Sequence, residues 1–592
     1  MEEQQRTETQ HGFLIVWGHY ATRSGLIDTV NEIPLSQKTY RHTPQSKLLE
    51  YLVATLAGLP HLKDLSCAAH PLDQDLAVAR AWEQESWADY TGVSRALRAL
   101  TDRDVDRIIA ALEVYSRPYR MAEVNQALTV QPYLILDGDL TGLPVARTSR
   151  TYPDAAFGYM DDDVQLGYQL ALVSLVSPTY GRQWLVGMHH PGNIVSCTEA
   201  APLVRSAEAC LGLRPWRRTA LVEQRLAHLD TQLIKTQERY DAQVRLAARA
   251  ATSLQTGQAE LAQRRTQLAL LETEYQARQE VAGPYSQLAR TRKLVAVAER
   301  RCQQREQQLD VAHARMAQTA ALLAQRQADR TQLQAHLTAL QADNATNTQP
   351  VTILIRLDAG FGTHENIALL AELGYEVITK AKNQKVAQAL LRRVDDQTAW
   401  TSVGTNAEMV AWSQVSFKNA PYPLDAGLER FHLTTPRHTV LLHYGELDVT
   451  DDLAKWFQLY NRRQTIEAGI KEGKGVFQLH HLKVRTAPAL RLQEYLVIFA
   501  ANFIRWANHW LMAQRPTAAP ADLDVSKLGI KHWVQIAAHL TATVSWLTDG
   551  CVLRFSDLSC YAGQTLTLTG FFQQLTLPWF SDDRLVPLST VT

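Results

Sequence analysis

The alternation of hydrophobic and polar positions changes character several times along the chain. Over residues 45–128 apolar residues recur at helical spacing in SKLLEYLVATLAGL, QDLAVARAWEQ, TGVSRALRALT and DVDRIIAALEVYSR, which predicts a helical N-terminal domain within 1–128. Residues 1–12 are read as a disordered start. Beyond Val130 the pattern shortens to β-type runs. QPYLILDGDLTGLPV predicts a first strand, VQLGYQLALVSLVS and RQWLVGMHH continue it as an antiparallel meander, and TEAAPLVRSAEACLGL reads as a helix. A second unit begins with VTILIRLDAGFG, a buried strand. It continues with THENIALLAELG, a helix capped by Thr363 and closed by Gly374, and with YEVIT, another strand.

Between these units, over residues 219–344, Gly and Pro almost vanish and the period becomes seven. Leu226, Leu233, Tyr240, Ala247, Leu254, Leu261, Leu268 and Tyr275 recur every seventh position. After Gly283-Pro284 the series resumes at Leu288, Val295, Cys302, Leu309, Met316, Leu323 and Leu337, with Arg330 as its one interruption. Such a repeat predicts coiled coil, and the Gly-Pro break turns it back as an antiparallel hairpin about 90 Å long at 1.5 Å per residue. Its two ends then lie together, so it reads as an insertion into an α/β core whose parts are 129–218 and 345–380. Residues 381–450, with TVLLHY, read as a β-rich insertion; 451–515 read as two helices; 516–592 read as a helix followed by short strands.

Composition narrows the class without deciding it. At 592 residues and 46% hydrophobic content the chain can build several cores. No apolar run approaches a membrane span, FLIVWGHY being short, and nothing reads as a signal peptide. Six cysteines, at 67, 197, 210, 302, 551 and 560, form no C-x-x-C, which argues against a disulfide framework or a zinc site and fits a reducing cytoplasm. Net charge is zero, yet DNA binding needs only a local basic face. The span 462–485 offers one in Arg462, Arg463, Lys471, Lys474, Lys483 and Arg485, against Glu467 and Glu472.

Chemistry concentrates in YNRRQTIEAGIKEGK, where Tyr460, Arg463, Glu467 and Lys474 follow at intervals of three, four and seven residues. On one helix they share a stripe roughly 60° wide, beside an apolar stripe of Leu459, Ile466 and Ile470. A carboxylate flanked by two cations and a phenol suits a metal ion and a phosphate better than a core. Two strand ends carry further carboxylates. Asp358 closes VTILIRLD, where ligands collect in open α/β sheets. Asp137 and Asp139 close QPYLILDGD and project to one face, so both can approach one cation. Each motif alone also suits an ordinary turn, and D-x-D occurs in glycosyltransferases.

The stretch matches the Y-x2-R-x3-E-x6-K signature, and with the two upstream aspartates the chain resembles bacterial insertion-sequence transposases of the DDE, cut-and-paste type. The resemblance covers about residues 130–215 and 350–515. It implies a ribonuclease-H-like α/β core, a mixed sheet flanked by helices, joined to the helical N-terminal domain and interrupted by the coiled-coil hairpin. It implies that Asp139, Asp358 and Glu467 are the catalytic carboxylates, with Asp139 favoured over Asp137 as the first and Asp137 sharing the metal. Two Mg2+ ions, with Mn2+ as a substitute, would activate the attacking oxygen and stabilise the leaving one. Tyr460, Arg463, Lys471 and Lys474 would hold DNA phosphates. The partner implied is double-stranded DNA, both terminal inverted repeats and target, with a homodimer joining two ends and no membrane. LAVARAWEQESWADYTGVSRALRAL resembles helix–turn–helix, with Ser94, Arg95 and Arg98 on the recognition helix. Trp400 or Trp412 could stack on an unpaired base. Two alternatives compete: a ribonuclease-H-like nuclease or domesticated transposase that hydrolyses without strand transfer, and a coiled-coil DNA-organising protein. Heads of the latter kind usually bind ATP, and the chain has no G-x-x-x-x-G-K-[ST].

Overall fold

Among the described residues there are two sheets, and in the larger one the strand that carries Asp137 and Asp139 lies beside the strand that leads into Asp358. The computed structural model describes residues 6–37, 41–160, 163–418, 420–432, 437–513, 528–556 and 565–570. After a short strand β1 (Arg6–Thr9), the larger sheet is built from β2 (Leu134–Pro144), β3 (Ala156–Met160), β4 (Asp163–Leu175), β5 (Gln183–Pro191), β6 (Ile353–Leu357) and β7 (Glu376–Lys380). It continues through β8 (Thr401–Gly404), β9 (Ala407–Val415), β10 (Leu424–Phe431) and β11 (Arg437–Tyr444). Strands β2, β6 and β7 run parallel, whereas β4 is antiparallel to β2 and β5 to β4. Strand β11 then pairs antiparallel with β7 and carries β10, β9 and β8 outward.

This layout follows from burial. Every residue of β6, Ile-Leu-Ile-Arg-Leu, is buried, as expected of a parallel strand covered on both faces. The crossover from β6 to β7 is the helix His364–Glu372, whose first turn is capped by Thr363 accepting from the Asn366 N–H at 3.2 Å. Gly374, at φ +91°, closes it: a left-handed residue that a side chain would strain.

The N-terminal helices do not form a core of their own. One hydrophobic cluster runs from Phe13 through Tyr119 and Phe503 to Leu568. Residues 6–12, expected to be disordered, form β1 and the start of the helix Gly12–Arg23, because β1 pairs antiparallel with β12 (Ala542–Leu547). That strand pairs in turn with β13 (Gly550–Phe555) and β13 with β14 (Thr565–Thr569). The helix read over DVDRIIAALEVYSR runs on through Pro118 and spans Asp102–Val130. Packing on both sides of the proline holds it: the Tyr119 ring stacks on Trp506 at 4.3 Å, and Tyr115, Val124 and Ala127 are buried. Trp506 belongs to the buried helix Ala487–Ala513. Among the described residues no helix is long and apolar enough to cross a membrane.

Residues Arg217–Thr346 make a separate compact unit. Its helices Thr219–Ala277 and Gln287–Ala345 have 59 residues each and run antiparallel, crossed by Arg265–Glu299 at 2.7 Å, Arg292–Glu272 at 2.8 Å and Arg330–Asp230 at 2.6 Å. Leu226, Ala247, Leu271, Leu288, Val295, Leu337 and Leu340 are buried along the seam. Most other seventh-position residues, Leu233, Leu254, Leu309 and Met316 among them, stay half-buried, since two helices alone leave both sides of a seam in water.

Candidate carboxylate site

The two aspartates of β2 share a face but not a role. Asp137 lies opposite Arg356 of β6 in the parallel register, and the guanidinium takes both carboxylate oxygens, at 2.6 and 2.8 Å. A third bond, 2.6 Å, runs from Arg356 to the Leu459 carbonyl. Asp137 is wholly buried, and the Thr465 hydroxyl also approaches it, at 3.4 Å. Expected as a metal-sharing neighbour, Asp137 is instead drawn into an internal ion pair, because the strand beside it supplies a buried cation at its own level. Asp139, two residues on, is free of that pairing and meets Arg463.

The helix that was to present Tyr460, Arg463, Glu467 and Lys474 in one stripe is divided. One helix covers Leu453–Asn461 and a second Gln464–Gly475. Between them i→i+3 bonds tighten the chain: Arg463 N–H to Tyr460 O at 3.0 Å, Thr465 to Arg462 at 3.2 Å and Ile466 to Arg463 at 2.9 Å. Arg463, at this turn, donates to Asp139 Oδ2 at 3.0 Å and to Glu467 Oε1 at 2.7 Å. Asp358 stands at the end of β6, next to the same group, with its Oδ1 buried and unbonded.

The electrostatics are those of crowded carboxylates around one cation. Burial pushes the Asp139 carboxyl up to about 6; Arg463 opposes the rise and the Asp358 charge adds to it. Burial also raises Asp358, against the pull of Arg463 and of the Phe361 and Gly360 N–H groups. For Arg463 burial disfavours the charge, but Asp139, with Tyr460, Asp358 and Glu467, outweighs it and holds the guanidinium more firmly protonated than usual. The Tyr460 hydroxyl is pushed up to about 12, chiefly by burial. Asp139, Asp358, Tyr460, Arg463 and Glu467 thus form one group.

The remaining expected residues lie elsewhere or at its margin. Lys471 is exposed and Lys474 half-buried on the Glu467 helix. Ser94, Arg95 and Arg98 sit on the helix Tyr90–Arg98, which buries Val93 and Leu97 and leaves both arginines exposed. Arg95 bonds to the Thr91 carbonyl of its own helix at 3.2 Å. Trp400 lies under the Arg430 guanidinium at 4.1 Å, and Trp412 faces Ala426 across β9 and β10; both are half-buried.

Sequence reasoning missed two basic residues. Arg356 left a signal: an arginine inside an otherwise apolar strand needs a buried anion. Lys380, at the end of β7, places its ammonium 5.2 Å from the Tyr460 ring centre and 3.1 Å from Glu429. Beside it the Thr379 hydroxyl donates to the Asp358 carbonyl at 2.8 Å.

Among the described residues no group of three His, Cys, Asp or Glu side chains is arranged to hold a metal ion. Two of the three carboxylates nevertheless fit a hard divalent cation: Asp358 offers an unbonded buried oxygen, and Asp139 beside it is destabilised as an anion by burial and by Asp358 itself. Such ions are commonly held by one or two carboxylates plus substrate oxygens. Glu467 is turned to Arg463.

Residues 311–503 match the family model for the transposase DDE domain, a stretch that contains Asp358, Arg463 and Glu467 and begins after Asp139. No curated protein matches the chain.

Proposed function

With that domain, the chain stands with DDE transposases of the insertion-sequence type, and on that premise we propose that it cleaves DNA at element ends and joins them to target DNA through Asp139, Asp358 and Glu467. The observation that carries the reading is Arg463 bridging Asp139 and Glu467 at 3.0 and 2.7 Å with Asp358 alongside, three acids from distant segments around one buried cation. The strand order β5-β4-β2-β6-β7, three antiparallel and then two parallel, supports a ribonuclease-H-like core. Asp139 lies within β2, one residue past the last that pairs with β6, and Asp358 directly follows β6.

Asp139 and Asp358 would hold Mg2+, with Mn2+ as a substitute, and Glu467 would join them when released from Arg463. Bound divalent ions would supply the positive charge that activates an attacking oxygen and stabilises a leaving one. The protein's own part is to hold phosphates in line. Arg463 offers a planar fork for two phosphate oxygens, and Lys471 and Lys474 continue a basic edge along the same helix. Tyr460 is held un-ionised by its burial, so its hydroxyl can donate to a phosphate but is a poor nucleophile. Arg95 and Arg98 are suited to the DNA backbone, and Trp400 or Trp412 to an unpaired base. Two such active sites, in a homodimer, would treat two element ends.

Glu467→Gln tests the assignment directly. In an assay with linked end DNA and Mg2+, it should abolish cleavage and leave DNA binding intact; cleavage at the parental rate would overturn the triad. Ends that are cut but never joined would favour a hydrolytic nuclease.

A further inference from the structure

Arg356 and Arg463, both buried beside the carboxylates, are built differently. Arg356 is bonded on all sides: both oxygens of Asp137, a backbone carbonyl, and no path to water on either partner, with side chains 1% and 0% exposed. Arg463 is only 9% exposed, but its partner Glu467 is 46% exposed, so this ion pair has an open side. Arg463 also sits on the tightened turn between two helices rather than inside a strand. The first arginine is a strut. The second is placed to let go.

Its location gives that release a consequence. The Asp139 oxygen that Arg463 occupies and the unbonded Asp358 oxygen, whose charge acts on Asp139, are those a divalent cation would take. A guanidinium and a divalent ion cannot share that space, since like charges would meet where little water screens them. We propose that Arg463 is a resident counter-cation that closes the carboxylate site in DNA-free protein, and that a DNA phosphate opens the site by drawing the guanidinium off Asp139 and Glu467. A phosphate can compete because it takes the same planar fork bidentately, and Lys471, exposed four residues (about one helical turn) after Glu467, adds attraction for it. By linkage, DNA then raises cation affinity and the cation raises DNA affinity by one common factor. The device keeps a nuclease centre unloaded until substrate is present. It rests on the reading of Asp139 and Asp358 as cation-holding residues.

The test uses the full-length protein, Mn2+ alone as the probe, and free Mn2+ measured by electron paramagnetic resonance, so no cleavage is needed. Wild type should bind Mn2+ weakly, and Arg463→Gln should bind it about tenfold or more tightly, within the usual range of such couplings. A duplex taken from the DNA flanking the gene should tighten Mn2+ binding to wild type and change Arg463→Gln little. Arg463→Lys, which keeps a charge but reaches one carboxylate at a time, should fall between and serves if the Gln variant does not fold. Equal Mn2+ affinity in wild type and a folded Arg463 variant overturns the proposal. Asp358→Asn separates the two levels of the argument. If it abolishes Mn2+ binding while Arg463→Gln leaves that binding unchanged, the gating role alone fails; if Asp358→Asn binds Mn2+ undiminished, the cation site itself fails.

Discussion

Replacing Arg356 by leucine isolates what the Asp137 pair does. The variant removes two bonds to a wholly buried carboxylate and one to the Leu459 carbonyl. Breaking a buried pair from one side costs about 3–5 kcal/mol, because a charge is left without a partner. The penalty in Arg356→Leu should therefore be about 3–5 kcal/mol. Hydrogen exchange on peptides covering β2 and β6 reads this as lost protection in the strands concerned. The double variant Asp137→Leu/Arg356→Leu should recover most of the loss, since apolar replacement of a buried pair is often neutral. It should also keep Mn2+ binding. A double variant no more stable than Arg356→Leu would refute the electrostatic account. Loss of Mn2+ binding in a folded double variant would show that Asp137 is a ligand after all.

Two further perturbations probe the surroundings of the site. Gly362, two residues beyond Gly360 in the Asp358 loop, has the Lys380 carbonyl where a Cβ would stand, so Gly362→Ala should push the Asp358 loop from the end of β7. Overpacking of this sort costs about 1–3 kcal/mol; circular dichroism should be retained while cleavage falls, and full activity would deny the close approach. His443 is buried and bonded to Asp425 at 2.9 Å, with Glu376 3.7 Å from its other nitrogen. Burial works against its charge, but the two carboxylates raise its pKa above the ordinary value. The stability it contributes is therefore full below about 6.5 and lost as pH rises through the elevated value. Urea midpoints measured across that interval should fall with pH in wild type and flatten in His443→Gln; a midpoint rising with pH in wild type would refute the sign.

Much of this architecture was legible in the pattern of the chain, and the exceptions share a cause. Strands β2, β6 and β7 and the crossover helix could be read because burial on both faces leaves an unbroken apolar run, and because Thr363 and Gly374 mark the helix ends. The heptads marked the two long helices for the same reason, one sustained period. Where reading failed, contacts distant in sequence overrode local signals. Pro118 stops a helix in isolation, but Tyr119 on Trp506 and the buried residues beyond keep the helix going. A polar N-terminus reads as disorder until β12, more than five hundred residues later, offers it a strand partner. The stripe from Tyr460 to Lys474 carried no breaker to show that it divides at Arg463.

The same limit explains why Asp137 and Asp139 could not be told apart from spacing. In a strand, residues i and i+2 face the same way, so direction favours neither. What separates them is register with β6. Asp137 pairs with Arg356 and Asp139 lies one step past Gly138, the last residue of β2 that meets β6, just where β6 has ended and Asp358 begins its turn. The carboxylate beyond the last paired position is the one that can face a ligand; the one before it must find a cation within the sheet, and Arg356 is that cation. A charged residue inside a buried strand therefore states, in sequence, that an opposite charge stands beside it. Here the arginine in VTILIRLD and the first aspartate of LILDGD could have been matched to each other, which leaves Asp139 and Asp358 outside that pairing.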